Sequence, residues 1–102
     1  MSYYNSKMTK DESVKILTLD SAAWTETAPY TQTVEVAGVK TTDKIEIWSG
    51  ITSETSADDA KIYTKMAAMI SYASCTTDGS VTFVCLNKKP TSAFNIKLKG
   101  VE

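Results

Sequence analysis

Polar and apolar residues alternate most cleanly over residues 94–99, where Phe94, Ile96 and Leu98 point one way and Asn95, Lys97 and Lys99 the other. Side chains on a strand change face at every residue, so this pattern predicts a strand with one buried and one wet face. The two outward lysines are also what a sheet edge carries against aggregation. The alternation recurs at 30–39: Tyr30, Gln32, Val34 and Val36 share one face, Thr31, Thr33 and Glu35 the other. It recurs again at 44–49, where Ile45 and Ile47 face the core and Glu46 and Trp48 share the opposite side. Trp48 is then either partly exposed or covered by another element. Residues 14–19, Val-Lys-Ile-Leu-Thr-Leu, add a short strand rich in branched and apolar side chains.

The period changes at 56–69. Ser56 and Asp59 have the spacing of a capping box, and the Asp58-Asp59 pair suits the positive end of a helix dipole. Ala60, Tyr63, Ala67 and Ile70 then recur at three- and four-residue intervals with Met66 beside them, which predicts a helix ending near Met69 with this stripe on the core. After it, the runs 70–76 and 80–86 flank Asp78-Gly79, a strong hairpin signal. A two-residue loop sets Thr77 opposite Ser80 and Cys75 opposite Thr82. Ile70, Tyr72, Val81, Phe83 and Cys85 then share one face, and Ala73, Cys75, Val84 and Leu86 the other. A one-residue bulge would instead bring Cys75 and Cys85 opposite each other. The unbulged register is favoured because it gathers the large apolar groups on one side.

The loop around residues 22–39 carries the remaining punctuation. Trp24 stands in a polar stretch, Pro29 restricts itself and Ala28, and Gly38 closes the strand. Trp24 reads as a cap on an open end of the core with its N–H bonded to a loop carbonyl. The alternative is an exposed aromatic of the kind sugar-binding surfaces use. The fold class expected is mainly β: a small antiparallel β-sandwich-like domain of about six strands, with one helix between strands three and four. That helix crosses between sheet edges or covers one end of the sandwich.

Length and charge narrow the picture. The 102 residues suffice for one domain with a modest core. Residues 14–102 form that domain, and residues 1–13 form a polar N-terminal arm whose aromatics are Tyr3 and Tyr4. The arm reads either as a frayed terminus or as a segment that orders against a partner. It reaches about 45 Å when extended, and aromatics are enriched at partner surfaces. Net charge is −1, from 11 basic and 12 acidic residues. Such a balance points away from nucleic-acid binding and from a polybasic membrane anchor. No apolar run is long enough to span a bilayer, and the N-terminal residues lack a signal-peptide core. The expected location is the cytosol, or outside the cell by a route such as lysis.

Candidate chemistry is sparse. There is no histidine, the commonest general base and metal ligand. Two cysteines without a Cys-x-x-Cys spacing are too few for a zinc site and read as structural thiols. Four glycines make no phosphate loop, and no nucleophile motif is present. No catalytic residue, cofactor or metal ligand is therefore assigned, and a non-enzymatic protein is expected.

Two blocks carry a family resemblance. One is Ala22-Ala23-Trp24 through Ala28-Pro29-Tyr30-Thr31-Gln32-Thr33-Val34-Glu35-Val36-Ala37-Gly38-Val39. The other is Gly79-Ser80-Val81-Thr82-Phe83-Val84-Cys85 followed by Lys89-Pro90-Thr91 and a last strand. Together, over residues 14–101, they resemble a small β-rich domain of tailed phages and prophages of Gram-positive bacteria, found alone and as a module of tail, baseplate or fibre proteins. The middle of the chain, with Trp48 and the helix, departs from that pattern, and no catalytic residue carries over.

The resemblance implies a virion structural protein, made in the host cytoplasm and present in many symmetric copies as a homo-oligomer or array. It would decorate the capsid or attach to other tail or baseplate proteins through the arm and a sheet surface. Candidate interface residues are Tyr3, Tyr4 and Trp48. The alternative is a carbohydrate-binding adhesion domain, which needs Trp24, Tyr30 and Trp48 exposed to host-surface sugars.

Overall fold

A computed structural model describes residues 14–101. Tyr3, Tyr4 and the rest of residues 1–13 lie outside the described residues. Six strands and one helix follow in the order β1 (Lys15–Leu19), β2 (Tyr30–Glu35), β3 (Glu46–Ser49), α1 (Ala57–Ala67), β4 (Tyr72–Thr77), β5 (Ser80–Cys85) and β6 (Phe94–Lys99). They make two three-stranded antiparallel sheets: sheet A in the order β1-β6-β3, and sheet B in the order β2-β5-β4. The mainly β, sandwich-like class read from the sequence is the observed one, and the helix lies between the third and fourth strands.

The core is the layer between the sheets. Leu19, Phe94, Ile96 and Leu98 enter it from sheet A, and Val81, Phe83 and Cys85 from sheet B. Tyr30, Val34 and Val36 point into it as their alternation predicts. Burying one such side chain contributes about 1.5–3 kcal/mol. Helix α1 packs on the β3 and β6 side of sheet A, placing Met66 in the core with Tyr63 and Ala67 against it. Its cap is the expected one: the Asp59 N–H donates to Ser56 Oγ at 3.1 Å.

β6 runs down the middle of sheet A rather than along an edge. Lys97 and Lys99 are therefore not edge guards. They stand at the centre of that sheet's outer face.

The hairpin departs from its predicted register. Thr77 pairs with Ser80 as expected, but the pairs then become Ser74–Thr82, Ala73–Phe83 and Tyr72–Val84, with an irregularity between Ser74 and Thr77. The extra residue in β4 reverses its alternation, as a bulge does. Ala73 and Cys75 therefore pack toward the core, and Tyr72 is turned out to solvent. The gain is steric: small Ala73, not Tyr72, fills the place beside Phe83. Both thiols are free. The Cys75 Sγ donates to the Thr77 carbonyl at 3.2 Å.

Two polar groups sit inside the fold. Gln32, 6% exposed, clasps the end of β1 from β2: the Asp20 N–H donates to its Oε1 at 3.2 Å, and its Nε2 donates to the Asp20 carbonyl at 3.0 Å. This two-bond clasp joins the exit of one sheet to a strand of the other. Leaving such partly buried backbone groups unpaired costs about 1–3 kcal/mol. Trp24 is 5% exposed and belongs to the core, but its Nε1–H meets no acceptor among the described residues. The expected bond to a loop carbonyl is not formed. Thr25 donates through its N–H to the Thr31 carbonyl, and the Thr31 N–H donates to Thr25 Oγ1. The Ala28-Pro29 peptide in this loop is cis.

Burial pushes the Cys85 thiol from 9.0 up to about 11. The unfolded chain ionises first, so the stability gained by keeping this thiol neutral is whole below pH 9 and is lost as pH rises toward about 11. Urea midpoints are expected to fall over that interval, and to fall less in Cys85→Ala. Equal slopes in the two proteins would contradict this placement of the thiol.

Candidate functional surface

The outer face of sheet A is laid out by strand register. Ile16 of β1 pairs with Lys97 of β6, which pairs with Trp48 of β3, so these three side chains form one row across the sheet. Glu46 pairs with Lys99 in the next row, and Val14 follows at the β1 side, one step beyond the Lys15–Leu98 pair. The opposite row holds Thr18 and Asn95, joined by a bond of 2.6 Å from Thr18 Oγ1 to Asn95 Oδ1. Gly50 continues that row, and its N–H donates to the Asn95 carbonyl at 2.8 Å. A Cβ there would lie 2.5 Å from the Asn95 backbone, so only glycine lets the chain leave β3 at this point.

Between these rows lies an open groove of about 570 Å³. Val14, Ile16, Trp48 and Ile51 supply its apolar lining, and Lys97 and Lys99 its charge. Trp48 is 55% exposed and Ile16 52%, high values for large apolar side chains, and they stand on either side of Lys97. The Lys99 ammonium sits 5.0 Å from the centre of the Trp48 ring. Such a contact contributes about 0.5–1 kcal/mol at an exposed site. The Trp48 Nε1–H points to Glu46 Oε1 at 3.5 Å, a weak contact. The indole is thus held against the sheet by a cation and a carboxylate, with much of its surface open to solvent.

The outer face of sheet B differs. Thr33 and Thr82 share a hydroxyl bond of 2.8 Å, and Val84 is buried between its register neighbours Thr31 and Tyr72. Tyr72 and Leu86 are exposed there. A smaller cleft of about 310 Å³ opens where Ile45 and Ile47 face Ala67, Ile70 and Ala73, on the side closed by α1. It is a continuation of the core.

Of the aromatics proposed for sugar binding, Trp48 alone among Trp24, Tyr30 and Trp48 is exposed, at 55%. Trp24 is core, and Tyr30 is half-buried with the Lys89 ammonium 5.4 Å from its ring centre. The three-aromatic platform is therefore not formed: the same alternation that aims Trp48 outward aims Tyr30 inward. Among the described residues, no three His, Cys, Asp or Glu side chains come together as a metal site would require. No helix of the described residues is long and apolar enough to cross a membrane.

Sequence reasoning identified Trp48 but missed Val14, Ile16 and Ile51 as its companions. Alternation tells which face a residue takes, not which strands are neighbours. The signal that was available is the coincidence of outward Ile16, Lys97, Lys99 and Trp48 on three strands.

Comparison of the chain with protein-family models, with curated proteins and with solved structures finds no match in any of the three. The family resemblance rests on the two sequence blocks quoted above.

If the Trp48 face is a surface and the Trp24 pocket is core, the two tryptophans answer differently to truncation. Trp24→Ala is expected to cost about 3–5 kcal/mol, as for a core aromatic. Trp48→Ala is expected to cost no more than about 1 kcal/mol, the size of an exposed cation–π contact. Urea denaturation in dilute solution measures both, and equal losses would overturn the distinction.

Proposed function

We propose that this protein is a non-enzymatic structural protein of a phage virion, attached in multiple copies through the outer face of sheet A. The observation that carries the attachment surface is the open groove on that face, with Trp48 and Ile16 exposed beside Lys97. Isolated exposed apolar residues need no explanation, but apolar side chains gathered around one groove, here on both sides of the β6 lysines, support an interaction site. Tryptophan and lysine-flanked aliphatics suit a protein partner, since aromatics dominate interface hot spots. The phage assignment is supported by the resemblance over residues 14–101.

A second reading, carbohydrate binding at a host-facing tip, is favoured by one feature, the solvent-open Trp48 ring. It is weakened by the Lys99 ammonium, which already lies over the ring where a sugar would stack. A shift of Trp48 emission on adding host cell-wall saccharide supports it, and unchanged emission counts against it.

Mass spectrometry of purified particles from a lysing source bacterium is expected to find the 11.1 kDa chain in symmetric multiples. Trp48→Ala, or deletion of residues 1–13, is expected to leave a folded protein that no longer enters the particles. Absence of the parent chain from the particles would refute the virion reading.

A further inference from the structure

The row Ile16–Lys97–Trp48 sets a condition on whatever covers it. Ile16 and Trp48 are more than half exposed, and Lys97 stands half-buried between them as the register partner of both. Two strand spacings, about 10 Å, separate the flanking pair. A surface that buries Ile16 and Trp48 therefore buries Lys97 as well.

Lys97 has no carboxylate beside it in that row. Its neighbours along the outer face of β6 are Asn95, whose Oδ1 accepts from Thr18, and Lys99, a second cation. Glu46 stands opposite Lys99 in the next row, with its Oε1 toward the Trp48 Nε1–H. The residues lining the groove include two lysines and no carboxylate. In water this arrangement costs little. Once water is excluded, the penalty of an ammonium without a counter-charge outweighs the gain from the apolar contacts beside it. The covering surface must bring its own anion to Lys97, with apolar groups on both sides of that anion.

A segment of another protein meets both requirements. A nucleic acid brings anions, but a chain of net charge −1 has no general attraction for a polyanion, and the same holds for an anionic bilayer. A phosphate backbone also offers Ile16 and Trp48 no apolar side chains within the span of the row. A second copy stacked by the same face brings two lysines for each Glu46 and leaves a cation unmatched.

We propose that the groove on the outer face of sheet A docks a segment of a different virion protein, one that carries an aspartate or glutamate between two apolar side chains. The carboxylate sits on Lys97, and the apolar pair sits on Ile16 and Trp48. The inference rests on reading this face as the attachment surface of a virion protein, and it specifies what the partner brings. Ile16 and Trp48 then supply contact area. Lys97 supplies specificity, because it rejects a surface that covers the row without an anion.

Two measurements on purified particles test this. In the first, Lys97→Met and the parent chain are supplied together, and mass spectrometry reads their ratio in the particles. Removing one member of a covered charge pair leaves the other unpaired, so Lys97→Met is expected to be outcompeted roughly thirtyfold or more. Entry of Lys97→Met equal to or better than the parent overturns the proposal, since deleting a cation that faces no anion is neutral or favourable. In the second, particles holding the parent chain are treated with a water-soluble carbodiimide, which activates a carboxylate toward an adjacent amine; an amide forms and a urea leaves. This measurement does not depend on the folding of a variant. An amide from Lys97 to an aspartate or glutamate of another protein is the expected product. An amide from Lys97 to Asp11, Glu12 or Glu46 of this chain, or none at Lys97, overturns the proposal. Trp48→Ala, competed in the same way, tests the surface beneath it. Entry of Trp48→Ala at the parental level refutes the surface and the proposal together, as does absence of the parent from the particles. Loss of entry with Trp48→Ala but not with Lys97→Met sinks this proposal alone and leaves the surface standing.

Discussion

The structure depends on one buried apolar layer between two sheets whose strands do not pair with one another. Sheet A and sheet B each close their own hydrogen bonds, so what holds them together is removal of Leu19, Phe83, Phe94, Ile96, Leu98 and their neighbours from water. The chain passes between the sheets at β1–β2, β2–β3, β3–β4 and β5–β6, and each passage must close an end or side of that layer. Gln32 secures the first by clasping Asp20. At the second, the Gly79 N–H donates to the Val39 carbonyl and the Val36 N–H to the Gly79 carbonyl, tying the hairpin tip to the turn after β2. The helix closes the third with Met66. Trp24, filling the β1–β2 loop, is buried at the expense of its own N–H.

A core of this kind leaves the outer faces free of structural duty, and the two outer faces were filled differently. Sheet B presents the paired hydroxyls of Thr33 and Thr82, with Val84 covered between Thr31 and Tyr72 and with Tyr72 and Leu86 exposed. Sheet A presents an indole, branched aliphatics and two lysines around a groove. Charged side chains along β6 stand among the exposed apolar groups of that face. The function proposed for the protein follows from this asymmetry more than from any single residue.

Much of this was legible in the sequence, for physical reasons that differ by element. Period-two alternation placed β2, β3 and β6 and their inward faces, because in an antiparallel sheet with one wet side the pattern is written directly into the residues. The Ser56 cap and the Met66 stripe marked the helix. Three things were not legible. The β4 bulge depends on a tertiary preference, a small residue beside Phe83, that no local signal announces. The role of Gln32 was hidden because its alternation says only that it points inward, not that a backbone end waits there. The groove required knowing that β1 and β3 flank β6, and strand order is a property of the packed fold. The lysines of β6, legible as edge guards, proved central for the same reason.

The separation of a structural inner face from a partner-binding outer face is the central claim, and β1 carries both on one strand. Ile16 faces out at 52% exposure, while Leu19 is fully buried. The most direct measurement compares Ile16→Thr with Leu19→Ala for both unfolding free energy and association with the partner surface. The account predicts that Leu19→Ala costs about 2–5 kcal/mol of stability. It predicts that Ile16→Thr changes stability by less than about 0.5 kcal/mol and weakens association. A large loss of stability in Ile16→Thr with association intact would contradict it, and would make the outer face of sheet A part of the fold rather than its point of contact.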